Sequence, residues 1–135
     1  AAPAAAQEKG LLWHSDIPQH LPAVTADPDR LAQAVGNLVS NAIKYTATGG
    51  SVVVSAGETD TDVWIEVKDT GLGIAPDEQA RIFEAFYRSN RDRRFPQGLG
   101  LGLTIAKEIV VGQNGRLTLA STPGQGSAFT IHLPK

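Results

Sequence analysis

Asn37 and Asn41 open and centre the stretch "NLVSNAIKYT", one helical turn apart in a run that otherwise reads as an amphipathic helix. Asparagine is a poor interior helix residue because its amide competes for backbone hydrogen bonds, and a solvated face more readily takes Glu, Lys or Gln. Two side-chain oxygens at this spacing suit a hydrated Mg²⁺, which accepts one or two protein ligands and completes its shell with water and phosphate. The plainer alternative is the solvent side of a surface helix. A second candidate is "VKDTGLGI", where Asp69 ends an apolar run and Gly71 and Gly73 let backbone approach a flat ligand closely. An ionised Asp accepts hydrogen bonds, so Asp69 could receive the exocyclic amine of adenine; otherwise it initiates a turn. Asp-Thr-Gly is also the aspartic-protease signature. Those enzymes need two carboxylates sharing a proton, whereas this chain has one copy, and Lys68 beside Asp69 opposes the raised pKa such a pair requires.

The third candidate is "QGLGLGLTIAKEIV", with Gly98, Gly100 and Gly102 just before helical periodicity. Free amides at a helix N-terminus, with glycines exposing the backbone, suit phosphate. No Gly-Lys-Ser/Thr follows, so this is not a Walker loop. Between the second and third stretches runs "FEAFYRSNRDRRFPQ", with Arg88, Arg91, Arg93 and Arg94. It reads as a lid over phosphate or as a solvated loop. A nucleic-acid patch is disfavoured, since the run is short and the chain's formal charge is -2. His14, His20 and His132 share no metal-ligand spacing, and packing is their default role.

These stretches need elements to hold them. Asp27 can cap a helix whose first position is Pro28, and Leu31, Ala34, Val35, Leu38, Ala42 and Ile43 recur at three and four along it. "SVVVSAG" and "DVWIEVKD", joined by "ETDT", read as a hairpin, and so do "RLTLAS" and "SAFTIHL" around "TPGQG". Two further short strands are expected at 11–14 and 23–25, a short helix at about 76–83, and a helix after the second glycine turn. Three helices with four to six strands predict a two-layer α/β sandwich, its sheet mixed but mainly antiparallel and its helices on one face.

The 135 residues, 41% hydrophobic and 19% charged, suit one globular domain. No apolar run approaches the roughly 18 residues of a membrane span, and "AAPAAAQEKG" lacks the pattern of a signal peptide. Residues 1–10 are read as a linker remnant and 11–135 as the domain, a processed product or fragment of something longer. Without cysteine, zinc-thiolate sites and cysteine nucleophiles are excluded.

In this order, the asparagine helix, "DTGLGI", "FEAFYR" and "GLGLGL" resemble the catalytic ATP-binding domain of sensor histidine kinases over residues 27–133. The resemblance implies a Bergerat-type sandwich with ATP between the asparagine helix and the glycine loops. It also implies residue roles. Asn41 and Asn37 would ligate Mg²⁺, Lys44 would face the phosphates and Tyr45 would lie against adenine. Asp69 would hold the adenine amine, with Gly71, Gly73 and Ile74 at the adenine pocket. Phe83 and Phe86 would anchor the lid and Arg88 would reach the phosphates. Gly98, Leu99, Gly100, Leu101, Gly102 and Leu103 would wrap the triphosphate. "GQNGR" after the last helix and "RRFPQG" in the lid depart from the pattern.

Relatives of this fold that hydrolyse ATP place a glutamate one turn before the metal-binding asparagine, where this chain has Asn37. An amide cannot accept a proton from attacking water, which favours transfer over hydrolysis. The acceptor would be a histidine on a separate dimerisation domain of the parent protein, with a response regulator downstream. The isolated fragment is expected to be monomeric and cytoplasmic, its parent membrane-anchored. Two alternatives share the fold: a nucleotide-binding regulatory module, and a serine kinase of the anti-sigma-factor type.

Overall fold

The long helix begins as its sequence demands: Asp27 Oδ1 accepts from the backbone N–H groups of Asp29 and Arg30 at 3.0 and 3.2 Å, with Pro28 at the first helical position. In a computed structural model describing residues 2–87 and 101–135, the chain runs α1 (Ala4–Lys9), β1 (Leu12–Asp16), α2 (Pro28–Tyr45), β2 (Ser51–Glu58), β3 (Asp62–Asp69), α3 (Gly102–Gly112), β4 (Arg116–Thr122) and β5 (Gly126–Pro134).

The five strands form one sheet in the order β1-β2-β3-β5-β4. β1 pairs with β2 in parallel, the connection passing through α2, and the other three pairings are antiparallel. The sheet is therefore mixed, as expected. Register aligns Val54 with Val67, Val67 with Phe129 and Phe129 with Leu119, and one step further Ala56, Ile65, Ile131 and Leu117. Because directly opposed residues share a face, these side chains make one apolar surface. Ala34, Leu38 and Ala42 of α2, Leu103, Ala106, Ile109 and Val110 of α3, and Ala6 of α1 pack in the same core. Phe129, Ile131, Leu38 and Val110 are among its fully buried members.

Three expectations need correction. Residues 23–25 form no strand; the connection over 21–27 carries no regular pairing, and Val24 packs on the core as a loop residue. The expected helix at 76–83 is a chain of tight turns instead. Its backbone bonds, such as Glu78 N–H to the Ala75 carbonyl and Arg81 N–H to that of Glu78, mostly span three residues rather than four. Third, the alanine-rich opening, expected as a linker, contains α1, and Ala6 within it is completely buried. Three helices, α1, α2 and α3, still pack on the sheet's core.

The turn "GQNG" also has a defined role. α3 ends there with Asn114 at φ 62° and the Gly115 N–H donating to the Val110 carbonyl. Gln113 Oε1 accepts from the Asp27 backbone N–H at 2.8 Å, tying the end of α3 to the start of α2.

Candidate functional site

The apolar face of the sheet turns polar at one end. There the register sets Val52, Asp69, Ser127 and Ser121 side by side across β2, β3, β5 and β4. Asp69 and Ser127 are almost fully buried, at 4% and 3% exposure. Asp69 Oδ1 accepts from the Gly71 N–H at 2.8 Å, an Asx-type bond that turns the chain out of β3. Ser121 Oγ donates to the Gly126 carbonyl at 2.9 Å, accepts from the Ile74 N–H at 2.8 Å and lies 3.0 Å from Ser127 Oγ. Gln79 Nε2 reaches the carbonyls of Ile74 and Ser121. These bonds tie residues 71–74 to β3 and β4, and through Ser121 to β5, so residues 70–74 form a fixed platform.

Two glycines make that platform possible. Gly73 has φ +71°, and a side chain there would run into the Thr122 carbonyl; one at Gly71 would strike the Tyr45 carbonyl oxygen. The close approach expected from "DTGLGI" is to a flat ligand; the approach these glycines make in the structure is between protein segments. Ile74 is 1% exposed and belongs to the core.

Facing the platform is the second half of α2. The Leu72 N–H donates to the Tyr45 carbonyl at 3.3 Å. Tyr45 is buried, and Lys44 Nζ lies 4.8 Å from its ring centroid. Further back along α2, Asn37 Nδ2 donates to the Gly102 carbonyl at the start of α3, at 3.2 Å. Asn37 and Asn41 are half-buried, not on a purely solvated side. Among the described residues, Asn41 Nδ2 is a buried side-chain polar atom without a hydrogen-bond partner. Leaving such a group unsatisfied costs about 1–3 kcal/mol, so it marks a place where something outside this set of residues belongs. The two ends of an amide exchange by a half-turn, so the same side chain can present nitrogen to a phosphate oxygen or oxygen to a cation. Asn41 therefore suits a ligand that carries either kind of group. No group of three or more His, Cys, Asp or Glu side chains suited to a metal occurs among the described residues, so a cation here would rely on amide and phosphate oxygens.

α3 begins at Gly102 after Leu101, with the Ile105 N–H bonded to the Leu101 carbonyl; Leu103 is buried and Gly102 is exposed. Gly98, Leu99, Gly100 and Arg88 lie outside the described residues. Of the two phenylalanines expected beneath the lid, Phe83 is anchored. Its ring meets Phe129 edge-on at 6.1 Å, its carbonyl accepts from Thr104 Oγ1 at 2.7 Å, and Lys107 Nζ lies 4.9 Å from its centroid. Phe86, by contrast, is 65% exposed with φ +63°. Tyr87 bonds Glu78 through its hydroxyl at 3.0 Å and stacks under Arg81. Desolvation, and then its bond to Glu78, raise the Tyr87 pKa.

Sequence reasoning missed Ser121, Ser127 and Gln79, whose positions follow from strand register and loop path. It also missed Lys9. This side chain leaves α1 and donates to the carbonyls of Ile43 and Lys44 at the end of α2, both at 2.8 Å; burial lowers its pKa.

Comparison with known proteins places this geometry among relatives. Residues 26–135 match the family model described as histidine kinase-, DNA gyrase B-, and HSP90-like ATPase. The chain is 52% identical over 106 residues to the sensor histidine kinase RppB of Synechocystis sp., covering 78% of this chain and 23% of that protein. It is 42% identical to the adaptive-response sensory kinase SasA of Crocosphaera subtropica, covering 94% and 33% respectively. The chain thus spans a third or less of the length of these relatives. Among solved structures, it is similar to mycobacterial sensor histidine kinase MprB (TM-score 0.84, 31% identity, 96% of this chain and 88% of that one). It is also similar to full-length ShkA in complex with AMPPNP (TM-score 0.83, 37% identity, 96% and 27%).

Proposed function

Since the chain belongs to the histidine kinase-, DNA gyrase B- and HSP90-like ATPase family, we propose that it binds Mg-ATP and presents the γ-phosphate to a histidine on a separate dimerisation domain of its parent protein. Residues 11–135, with α1 packed on their core, would be the catalytic ATP-binding unit of a two-component sensor kinase, and the phosphorylated histidine would pass its phosphoryl group to a response regulator. The observation that carries the reading is the buried amide of Asn41, unpartnered among the described residues, on the helix that holds both the 70–74 platform and the start of α3.

In this reading Asp69 accepts the adenine amine from the buried end of β3, with Tyr45 and Lys44 along the nucleotide. Asn41 and Asn37 are the protein ligands of Mg²⁺, which when bound neutralises phosphate charge and orders the triphosphate. Catalysis of phosphoryl transfer is mainly positioning and charge stabilisation, which rigid backbone and fixed amides can supply. Asn37 supports transfer over hydrolysis: its nitrogen is bonded to the Gly102 carbonyl, and an amide cannot take a proton from water as glutamate does. Among the described residues, no helix is long and apolar enough to cross a membrane. A membrane anchor would belong to the rest of the parent.

The test is incubation with γ-labelled ATP and Mg²⁺, with and without a histidine-bearing dimerisation domain. Label is expected on the added domain only. Label on the isolated chain would contradict the proposal, and nucleotide binding without labelling of the acceptor would favour a regulatory module instead.

A further inference from the structure

The four carbonyls that end α2 have no helical partner of their own, and three donors outside the helical ladder serve them. Ala42 takes the Thr46 hydroxyl at 2.7 Å, Ile43 and Lys44 share the Lys9 ammonium, and Tyr45 takes the Leu72 N–H. The last turn of α2 is thus clamped between the N-terminal segment on one side and the glycine platform on the other. Lys9 is held in place to do this. Its own carbonyl accepts from Thr48 Oγ1 at 2.7 Å, and Gly10 follows at φ +75° with its carbonyl accepting from the Gly49 N–H. Leu11 N–H returns to the Ala6 carbonyl, and Ala6 is locked in the core. A cation at a helix C-terminus also complements the helix dipole.

From this geometry we infer that Lys9 is a positioning residue for the nucleotide site, fixing the last turn of α2 so that Tyr45 can hold the 70–74 platform and Lys44 keeps its place. The inference rests on the nucleotide-binding reading above. The segment preceding β1 thereby gains a role, since strain or movement arriving through α1 would reach the site through the Lys9 ammonium. Lys9 touches neither substrate nor metal in this account, and its effect passes through two carbonyls.

The experiment compares the whole 135-residue chain with its Lys9→Met and Lys9→Arg variants, using two readouts. Without nucleotide, amide hydrogen exchange at Leu72 should quicken in Lys9→Met and return toward wild type in Lys9→Arg, which keeps charge and donors. Displacement of a fluorescent ATP analogue by ADP should show affinity about tenfold weaker in Lys9→Met, a common size for coupling through a shared element, with recovery in Lys9→Arg. A Val63→Ala variant, which removes buried apolar volume at the end of β3 away from Asp69 and α1, controls for stability. Unchanged Leu72 exchange in Lys9→Met would overturn the inference, as would equal loss of affinity in Val63→Ala at a matched melting temperature. Wild-type chain that binds no nucleotide, with Leu72 exchange still responding to Lys9, would instead overturn the nucleotide reading and leave the clamp established.

Discussion

Asn41 is weakly suited to its helix and, among the described residues, leaves a buried amide nitrogen unpaired. Replacing it by alanine should therefore cost no stability: helix propensity improves by several tenths of a kcal/mol and an unsatisfied donor disappears. Asn41→Ala is expected to melt at or slightly above the wild-type temperature without ligand, yet to lose the stabilisation by Mg-ATP. In the wild type that gain should be about 2.7 kcal/mol at a hundredfold excess over the dissociation constant. Thermal shift with and without nucleotide checks both halves, and a large drop in the unliganded melt would make Asn41 structural. His132 carries a different prediction. Arg116 Nη2 lies 3.4 Å from its Nδ1 and Thr118 Oγ1 3.0 Å from its Nε2, with Asp62 bonded to Arg116. Burial, and then the Arg116 charge, lower its pKa from the ordinary 6.5, with Asp62 opposing. The folded state thus prefers the neutral ring. The stabilisation is complete above the unfolded value and is lost as pH falls below it toward the lower folded value. Between pH 7 and 5, wild type should lose more stability than His132→Gln, and above pH 7 the two should run parallel in denaturant titrations.

At the level of elements, the platform at 70–74 depends on glycine for a reason visible only in three dimensions. Gly73 combines a left-handed backbone with contact against the Thr122 carbonyl. In Gly73→Ala the conformation alone costs about 1–2 kcal/mol, and the collision must be relieved by moving the β4–β5 turn away from the platform. The variant is expected to fold with reduced stability and to lose nucleotide affinity more steeply than Gly124→Ala. At Gly124 the φ is also positive, but nothing lies within 4 Å of an added methyl. Calorimetric titration with ADP separates the two, and equal affinities would show that the platform tolerates displacement. The turns at 76–83 illustrate how local pattern misleads. "PDEQARIF" has a helical start and periodicity, but Ile82 and Phe83 are drawn into the core and Gln79 onto the platform, and tighter turns satisfy those anchors.

For the molecule as a whole, one core joins sheet, helices and the base of the segment after Phe83. Phe129 sits at its centre, 1% exposed and edge-on to Phe83. Phe129→Ala should cost about 3–5 kcal/mol and lower the melting temperature by on the order of 10 °C. The loss should appear as one transition by near-UV and far-UV circular dichroism, and a separate early transition would show that the site end unfolds independently. Much of this was legible in the residues. The cap at Asp27, the apolar spacing of α2 and the two hairpins are local signals, and local physics reads them correctly; the Asn, Asp and glycine motifs are local signals too, and name the candidate site. Tertiary contact settled the rest: that "AAPAAAQEKG" supplies a docked helix, that Lys9 completes the end of α2, that Ser121 and Ser127 meet beside Asp69, and that Phe83 is anchored while Phe86 is exposed. None of these has a periodic signature, because each depends on which distant backbone groups lack a partner once the sheet has closed on its helices.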